Sequence, residues 1–396
     1  MDAADLLRLP DGLAEPPLPP FPPAPTQEDM FARLQLARSR RVGPVTFRRL
    51  IAAHGGARAA LDALPEIARE AGVAGDVVAP EAQVRAEIRA ARKAGARMLA
   101  LGAPDYPDRL AQAGHAPPVM WVQGNAGLLG GPAVALVGTR NASSLALRMA
   151  RALARDLAQA GVTVVSGLAR GVDAAAHAAA LPQTVAVHAG GLDRPYPAEN
   201  ADLAARIAAE GCALSERPFG LQPTSRDFPR RNRIVAGLAQ VVVVVEAAAR
   251  SGSMITARDA LDLGREVAAV PGHPMDGRAG GCNLLLREGA VLVRGADDVL
   301  ALLDAATEIR ADPGPSDASG ATSGGPDPQD DPGDDPGDDA ADLRDRVLSL
   351  LSAVPVAEDQ VVRDLAAPPG RVATLLSELE LSGLVARRPG GGLVRL

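Results

Sequence analysis

Four turns that pair glycine or a ring with arginine hold the residues best suited to chemistry in this chain. The first reads Val137-Gly138-Thr139-Arg140. Glycine lets a backbone come close to a ligand, and a guanidinium adds a charge-assisted bond to a phosphate. The second, Ser166-Gly167-Leu168-Ala169-Arg170-Gly171-Val172-Asp173, repeats that pairing. The third, Gly190-Gly191-Leu192-Asp193-Arg194-Pro195-Tyr196-Pro197, offers a tyrosine that suits base stacking and, equally, a proline-framed turn. The fourth, Arg226-Asp227-Phe228-Pro229-Arg230-Arg231-Asn232-Arg233, sets four arginines around one ring. Cations that track a backbone beside a ring that stacks on a base are how single-stranded nucleic acid is held. A solvated basic loop is the plain alternative. A fifth turn, Ser251-Gly252-Ser253, adds hydroxyls and N–H groups suited to a phosphate.

The sequence assigns no catalytic residue, metal or cofactor. It contains no nucleophile elbow, no P-loop and no complete GxGxxG fingerprint. Cys212 and Cys282 form no CxxC pair and no Cys/His cluster. Glu246, Asp173, His188 and His273 lie near strand ends, and their spacing favours catalysis no more than structure. Asp173 and His177, one helical turn apart, suit acid–base chemistry, but a capping carboxylate and a packed imidazole are the simpler reading.

The elements that must position these turns are legible from periodicity. Apolar runs at 98–101, 133–137, 162–165, 184–187, 241–245, 267–270 and 290–293 read as buried strands. Helical stretches such as 146–160 and 201–209 separate most of them, which predicts an α/β fold with a mostly parallel, doubly wound sheet over 97–304. In such sheets ligands sit outside the carboxyl ends of the strands, where all these turns lie. Residues 28–96 carry apolar positions at helical spacing and predict a small helical domain. Its Arg41-Val42-Gly43-Pro44 turn fits a helix-hairpin-helix phosphate contact and, more simply, a structural turn. Residues 341–396 read as three helices followed by a hairpin, the winged-helix arrangement.

Net charge is −7, which argues at first against a nucleic-acid partner. Nine aspartates and no basic residue lie in 311–340, so the rest of the chain carries +2. Residues 305–340 therefore read as an acidic disordered linker able to compete for the basic groove, and 1–27 as a Pro-rich disordered tail. The winged-helix segment balances seven acidic residues with seven arginines, a poor basis for tight duplex binding. No stretch reads as a signal peptide or membrane span, so a cytoplasmic location without membrane insertion is expected.

Taken in order, the turns resemble the DprA/Smf family. The resembling text is the run 117–125, Val137-Gly138-Thr139-Arg140, the run 166–173 with His177, and Phe228-Pro229-Arg230-Arg231-Asn232-Arg233 continuing to Gly237. It goes on through 251–257, Val270-Pro271-Gly272-His273 and 281–290. The resemblance covers roughly 100–300 and implies an extended Rossmann-like fold that binds single-stranded DNA without cutting it. It implies protection of incoming DNA in natural transformation, loading of RecA recombinase onto strands covered by single-strand-binding protein, and a homodimer. By the resemblance, Gly138, Thr139, Arg140, Ser166, Gly167, Arg170 and Gly171 contact DNA. The same holds for Phe228, Arg230, Arg231, Asn232, Arg233, Ser251, Gly252 and Ser253. Arg170 stands where the family also uses lysine, which keeps the charge but alters contact geometry. The competing expectation is an enzyme of the related nucleotide-monophosphate glycoside hydrolases. The region from Glu246 to Thr256 lacks that group's glycine pair and trailing glutamate.

Overall fold

The computed structural model describes residues 26–73, 75–311, 339–352, 355–365, 367–382, 384–387 and 392–395. Residues 1–25 and 312–338 lie outside it, and with them most of the expected disordered tail and competing acidic linker; residues 305–311, expected as linker, instead continue the helix Ala296–Ala311, and Gln27 already begins a helix.

Four helices open the described chain: α1 (Gln27–Arg38), α2 (Pro44–His54), α3 (Ala57–Glu70) and α4 (Glu81–Lys93). Thr26 caps α1 by accepting the Asp29 N–H at 3.2 Å. Pro44 takes the first position of α2, where its missing N–H leaves no bond unmade. Arg48 ties these helices to the next domain by donating to the carbonyls of Ala111 and Ala113.

The strands are β1 (Arg97–Ala100), β2 (Val119–Gly124), β3 (Ala133–Val137), β4 (Thr163–Ser166) and β5 (Thr184–Val187). They continue with β6 (Cys212–Ser215), β7 (Val241–Val244), β8 (Glu266–Ala269) and β9 (Val291–Leu292). Among the described residues they form one nine-stranded sheet in the order β1-β2-β6-β5-β4-β3-β7-β8-β9. From β6 to β9 every pairing is parallel, while β1 and β2 pair antiparallel at one edge. The mostly parallel sheet expected from the sequence is thus present.

Helices cover both faces: α5 (Asp108–Ala111), α6 (Ser144–Gln159), α7 (Val172–Ala180), α8 (Ala201–Glu210), α9 (Asp227–Leu238), α10 (Gly252–Asp262), α11 (Gly280–Arg287) and α12 (Ala296–Ala311). Alternate strand residues point to opposite faces, so Val134 and Leu136 join one core with α6, α7 and α12. Ala135 and Val137 join the other, with α9, α10 and α11. Burial on both faces explains why these strands are continuous apolar runs. The chain leaves β3 toward β4 on one side and returns to β7 on the other, so the topological switch point lies between β3 and β7.

The chain ends in α13 (Asp339–Leu350), β10 (Val356–Ala357), α14 (Glu358–Leu365), α15 (Pro369–Leu381), β11 (Val385–Arg387) and β12 (Gly392–Arg395), the winged-helix order. This unit packs on α6. The buried Asp364 carboxylate accepts from the Ser144 hydroxyl and pairs with Arg151 at 3.0 Å. Arg278 donates to the carbonyls of Ser349 and Leu351 near the end of α13. Among the described residues no helix is long and apolar enough to cross a membrane.

Candidate nucleic-acid interface

The switch point places the turn after β3 beside the turn after β7. The Thr139 N–H donates to the Glu246 carbonyl at 2.7 Å, which closes the two turns against each other. The turn after β4 stacks on the same spot. Val172 fills the space where Gly138 would carry a Cβ, and a Cβ on Gly171 would strike the carbonyl oxygens of Thr139 and Arg140. Gly171 has φ +72°, a conformation open to glycine, and the buried Leu168 nearby holds φ +60°. A left-handed leucine is strained, and such strain gathers where a loop must hold one shape. The sequence reading gave these glycines to close approach of a ligand. In the structure Gly138, Gly167 and Gly171 instead make room for protein: Val172, the Arg231 guanidinium and the Thr139–Arg140 backbone.

Two buried carboxylates hold the turns at the crevice, one of them at the start of α6. Glu246 accepts the Ser143 N–H at 2.8 Å and its hydroxyl at 2.6 Å, while Ser143 caps Ala146. Asp173 accepts the N–H groups of Gly167 at 3.0 Å and Ala169 at 3.3 Å, pinning the second turn. Burial pushes both carboxyls above the usual range, opposed at Glu246 by the Ser143 bonds and at Asp173 by the Arg231 charge. His177 is wholly buried and shares a 2.8 Å hydrogen bond with the Thr184 hydroxyl. Burial pushes His177 down to about 3 and His188 to about 4, so both are neutral at pH 7. His273 is exposed and its ring nitrogen accepts the Met275 N–H. The N-terminus of α10 is open. Ser251 makes no side-chain cap, its hydroxyl has no partner among the described residues, and Gly252 faces open space.

The basic 226–233 segment is a helix rather than the loop expected from the sequence. Pro229 falls in the first turn of α9, where proline is tolerated. Successive side chains then point about 100° apart, so Arg230 and Arg231, adjacent in sequence, face different surroundings. Arg231 is buried, 6% exposed, and donates to the carbonyls of Gly167 and Val187. That makes it an internal staple between the ends of β4 and β5, which corrects its reading as a phosphate contact. Arg233 turns to Glu216 and the His115 carbonyl, a second correction of the same kind. Arg230 is exposed and lines a separate cavity of about 290 Å³ with His115, Ile255 and Asp259. Asn232 bridges α9 to α10 by donating to the Gly252 carbonyl at 3.4 Å.

Phe228, on the crevice side of α9, stays half-exposed. The Arg140 guanidinium carbon lies 5.0 Å from the centroid of its ring, and Tyr196 lies 5.4 Å away at 53°. Tyr196 is 48% exposed. The chain has five Phe, two Tyr and one Trp, so two adjoining rings partly in solvent under an arginine form a distinctive surface. Thr139, Gly252 and Ser253 complete the accessible members of the expected set, while the Ser251 hydroxyl is buried. Ser166 does not, since it is buried and donates to the Leu136 carbonyl at 2.6 Å. Arg170 lies at the other rim, paired with Glu199 at 2.6 Å with both side chains half in solvent. Tyr196 was weighed in the sequence but not assigned. Arg226 belongs to the basic motif but not to the assigned contacts, and Arg250 is not singled out by the sequence; both are exposed and have no ion-pair partner among the described residues. Their signal was arginine beside an aromatic or a helix start.

Comparison with known proteins matches these regions. The family described as DNA recombination-mediator protein A matches residues 97–304. A DprA-like N-terminal HHH domain matches 27–90, and a DprA winged-helix domain matches 330–391. The Smf protein of Synechocystis is 36% identical over 317 residues, covering 72% of this chain and 77% of its own. The X-ray structure of DNA processing protein A from Streptococcus pneumoniae is similar with a TM-score of 0.60 and 33% identity, covering 70% of this chain and 98% of that one. A structure of DNA processing protein A from Helicobacter pylori, described for its single-stranded DNA binding mode, gives a TM-score of 0.50 at 31% identity. It covers 53% of this chain and 96% of that one.

Proposed function

We infer the function from one premise: this chain belongs to the DprA/Smf family of DNA recombination-mediator proteins. It binds single-stranded DNA across the mouth of the β3/β7 crevice. The observation that carries this reading is the cluster of Arg140 and the partly exposed Phe228 and Tyr196 rings at the switch point. A ring pair accepts an unstacked base, the arginine holds the adjoining phosphate, and the open N-terminus of α10 takes the next one. A duplex hides its base faces, so the cluster favours single strands.

The protein acts as a mediator rather than an enzyme. That reading is supported by the crevice carboxylates, since Glu246 and Asp173 bind backbone and Ser143 groups instead of facing solvent. Its work is to shield incoming strands in natural transformation and pass them to RecA recombinase in competition with single-strand-binding protein, in the cytoplasm. A homodimer is supported by edge strand β9, where Val291 and Leu292 are exposed apolar residues.

The test is equilibrium binding of fluorescent oligo-dT and a matched duplex at two salt concentrations. Preference for the single strand with affinity falling steeply in salt supports the reading. Equal binding of both, or binding indifferent to salt, sinks it.

A further inference from the structure

A second surface, away from the crevice, lies where α1 and α4 meet β1. It is a pocket of about 300 Å³, within the range of small-ligand and peptide-anchor sites. Met30, Phe31, Ile88 and Met98 line it, all half-buried and packed on the core beneath. Methionines make such a wall adaptable, as at surfaces that accept varied partners. The rim is basic. Arg85, Ile88 and Arg92 recur at helical spacing on one face of α4. The Arg85 guanidinium lies 4.8 Å from the Phe31 ring centroid and also pairs with Glu81. Arg92 lines the pocket and has no ion-pair partner among the described residues, nor do the adjacent Arg89 and Lys93.

We propose that this pocket docks an acidic peptide of a partner protein by one large apolar anchor residue, with Arg92 on the wall and Arg85 over Phe31 holding the flanking carboxylates. Charge complementarity decides the class of partner. A cavity walled by flexible apolar side chains takes a side chain, and Arg92, unpaired on its wall among the described residues, takes an acidic residue beside it. The acidic stretch at 311–340 is not its occupant, because it contains no large apolar residue to serve as anchor.

The test uses the full chain and a fluorescein-labelled peptide of aspartates ending in phenylalanine, with an all-aspartate peptide as control. Saturable binding is expected, at least about tenfold weaker for the control and for Arg92→Glu. Arg92 is exposed, so its reversal should leave the circular dichroism spectrum and oligo-dT affinity unchanged; Ile88→Ser should weaken the peptide likewise. Equal binding of both peptides, or binding indifferent to Arg92→Glu, overturns the proposal. Displacement of the peptide by oligo-dT in an Arg140→Ala background overturns it in favour of a nucleic-acid site. Binding seen only after removal of residues 1–25 overturns it in favour of the chain's own N-terminal segment as occupant.

Discussion

The Arg140 guanidinium carbon lies 5.0 Å from the centroid of the Phe228 ring, joining the turn after β3 to the first turn of α9. An exposed cation–π pair of this kind contributes only about 0.5–1 kcal/mol to the fold. Its components are better placed to bind than to stabilise. Phe228→Ala and Tyr196→Ala should each weaken oligo-dT binding by about 1–3 kcal/mol, the usual contribution of a stacked base. Arg140→Ala should lower the salt slope by about 0.7, one single-strand phosphate contact. Anisotropy titrations across a salt series read both, and a slope unchanged in Arg140→Ala would remove that residue from the interface.

Arg230 and Arg231 are neighbours in sequence with opposite surroundings. Arg231 is buried and holds two carbonyls, so Arg231→Ala should destabilise the protein by about 1–3 kcal/mol through the buried acceptors left without a donor. Arg230→Ala should leave the urea midpoint within about 0.5 kcal/mol of wild type, as exposed substitutions do. Comparable midpoints for the two variants would contradict the staple role of Arg231.

The glycines of the turns separate in the same way. Gly138→Ala places a Cβ against Val172, and overpacking of this kind costs about 1–3 kcal/mol. Gly252→Ala meets open space in the first turn of α10 and should fold normally. If the Gly252 N–H group receives a phosphate, a methyl there weakens oligo-dT binding without moving the melting temperature. Thermal melts and titrations on both variants check this.

Buried neutral histidines make stability depend on pH. His188 is held down to about 4 and His177 to about 3, whereas an unfolded histidine titrates near about 6.5. The folded state therefore binds fewer protons than the unfolded state below that point. Their contribution is full above about pH 6.5 and falls by on the order of 1 kcal/mol per pH unit per histidine as the pH drops toward 4. Glu246 and Asp173, raised by burial, oppose this in the acid range. Urea unfolding between pH 7 and 4.5 should show the decline, and His188→Gln should flatten it. A slope identical in that variant would mean His188 is not buried neutral.

Asp364 fastens the winged helix to α6 through Ser144 and Arg151. Removing its carboxylate leaves the Ser144 hydroxyl without this acceptor at the interface. Asp364→Ala should speed hydrogen exchange in α14 and α15 while β3 and β7 exchange as before, since weakened docking opens locally. Uniform exchange across the chain would show that the contact does not hold the domain.

Much of this architecture is written in local pattern. Valine runs such as 241–245 declare a strand buried on both faces, because only a sheet covered by helices can hide every side chain of such a run. β6, Cys212-Ala213-Leu214-Ser215, is not legible because it holds no β-branched or aromatic residue, and β2 (Val119–Gly124) likewise falls outside the apolar runs read as strands. The glycine–arginine turns were legible as a site because strand ends in α/β sheets face the crevice. Their individual roles were not. Whether 226–233 is loop or helix, and therefore which arginine faces Phe228, which is buried and which reaches Glu216, depends on rotation about a helix axis set by packing on β3, β4 and β5. A sequence states that a cation is present. Only the close packing of one turn on the next decided that Arg231 serves the fold while Arg140 and Tyr196 remain free for a ligand.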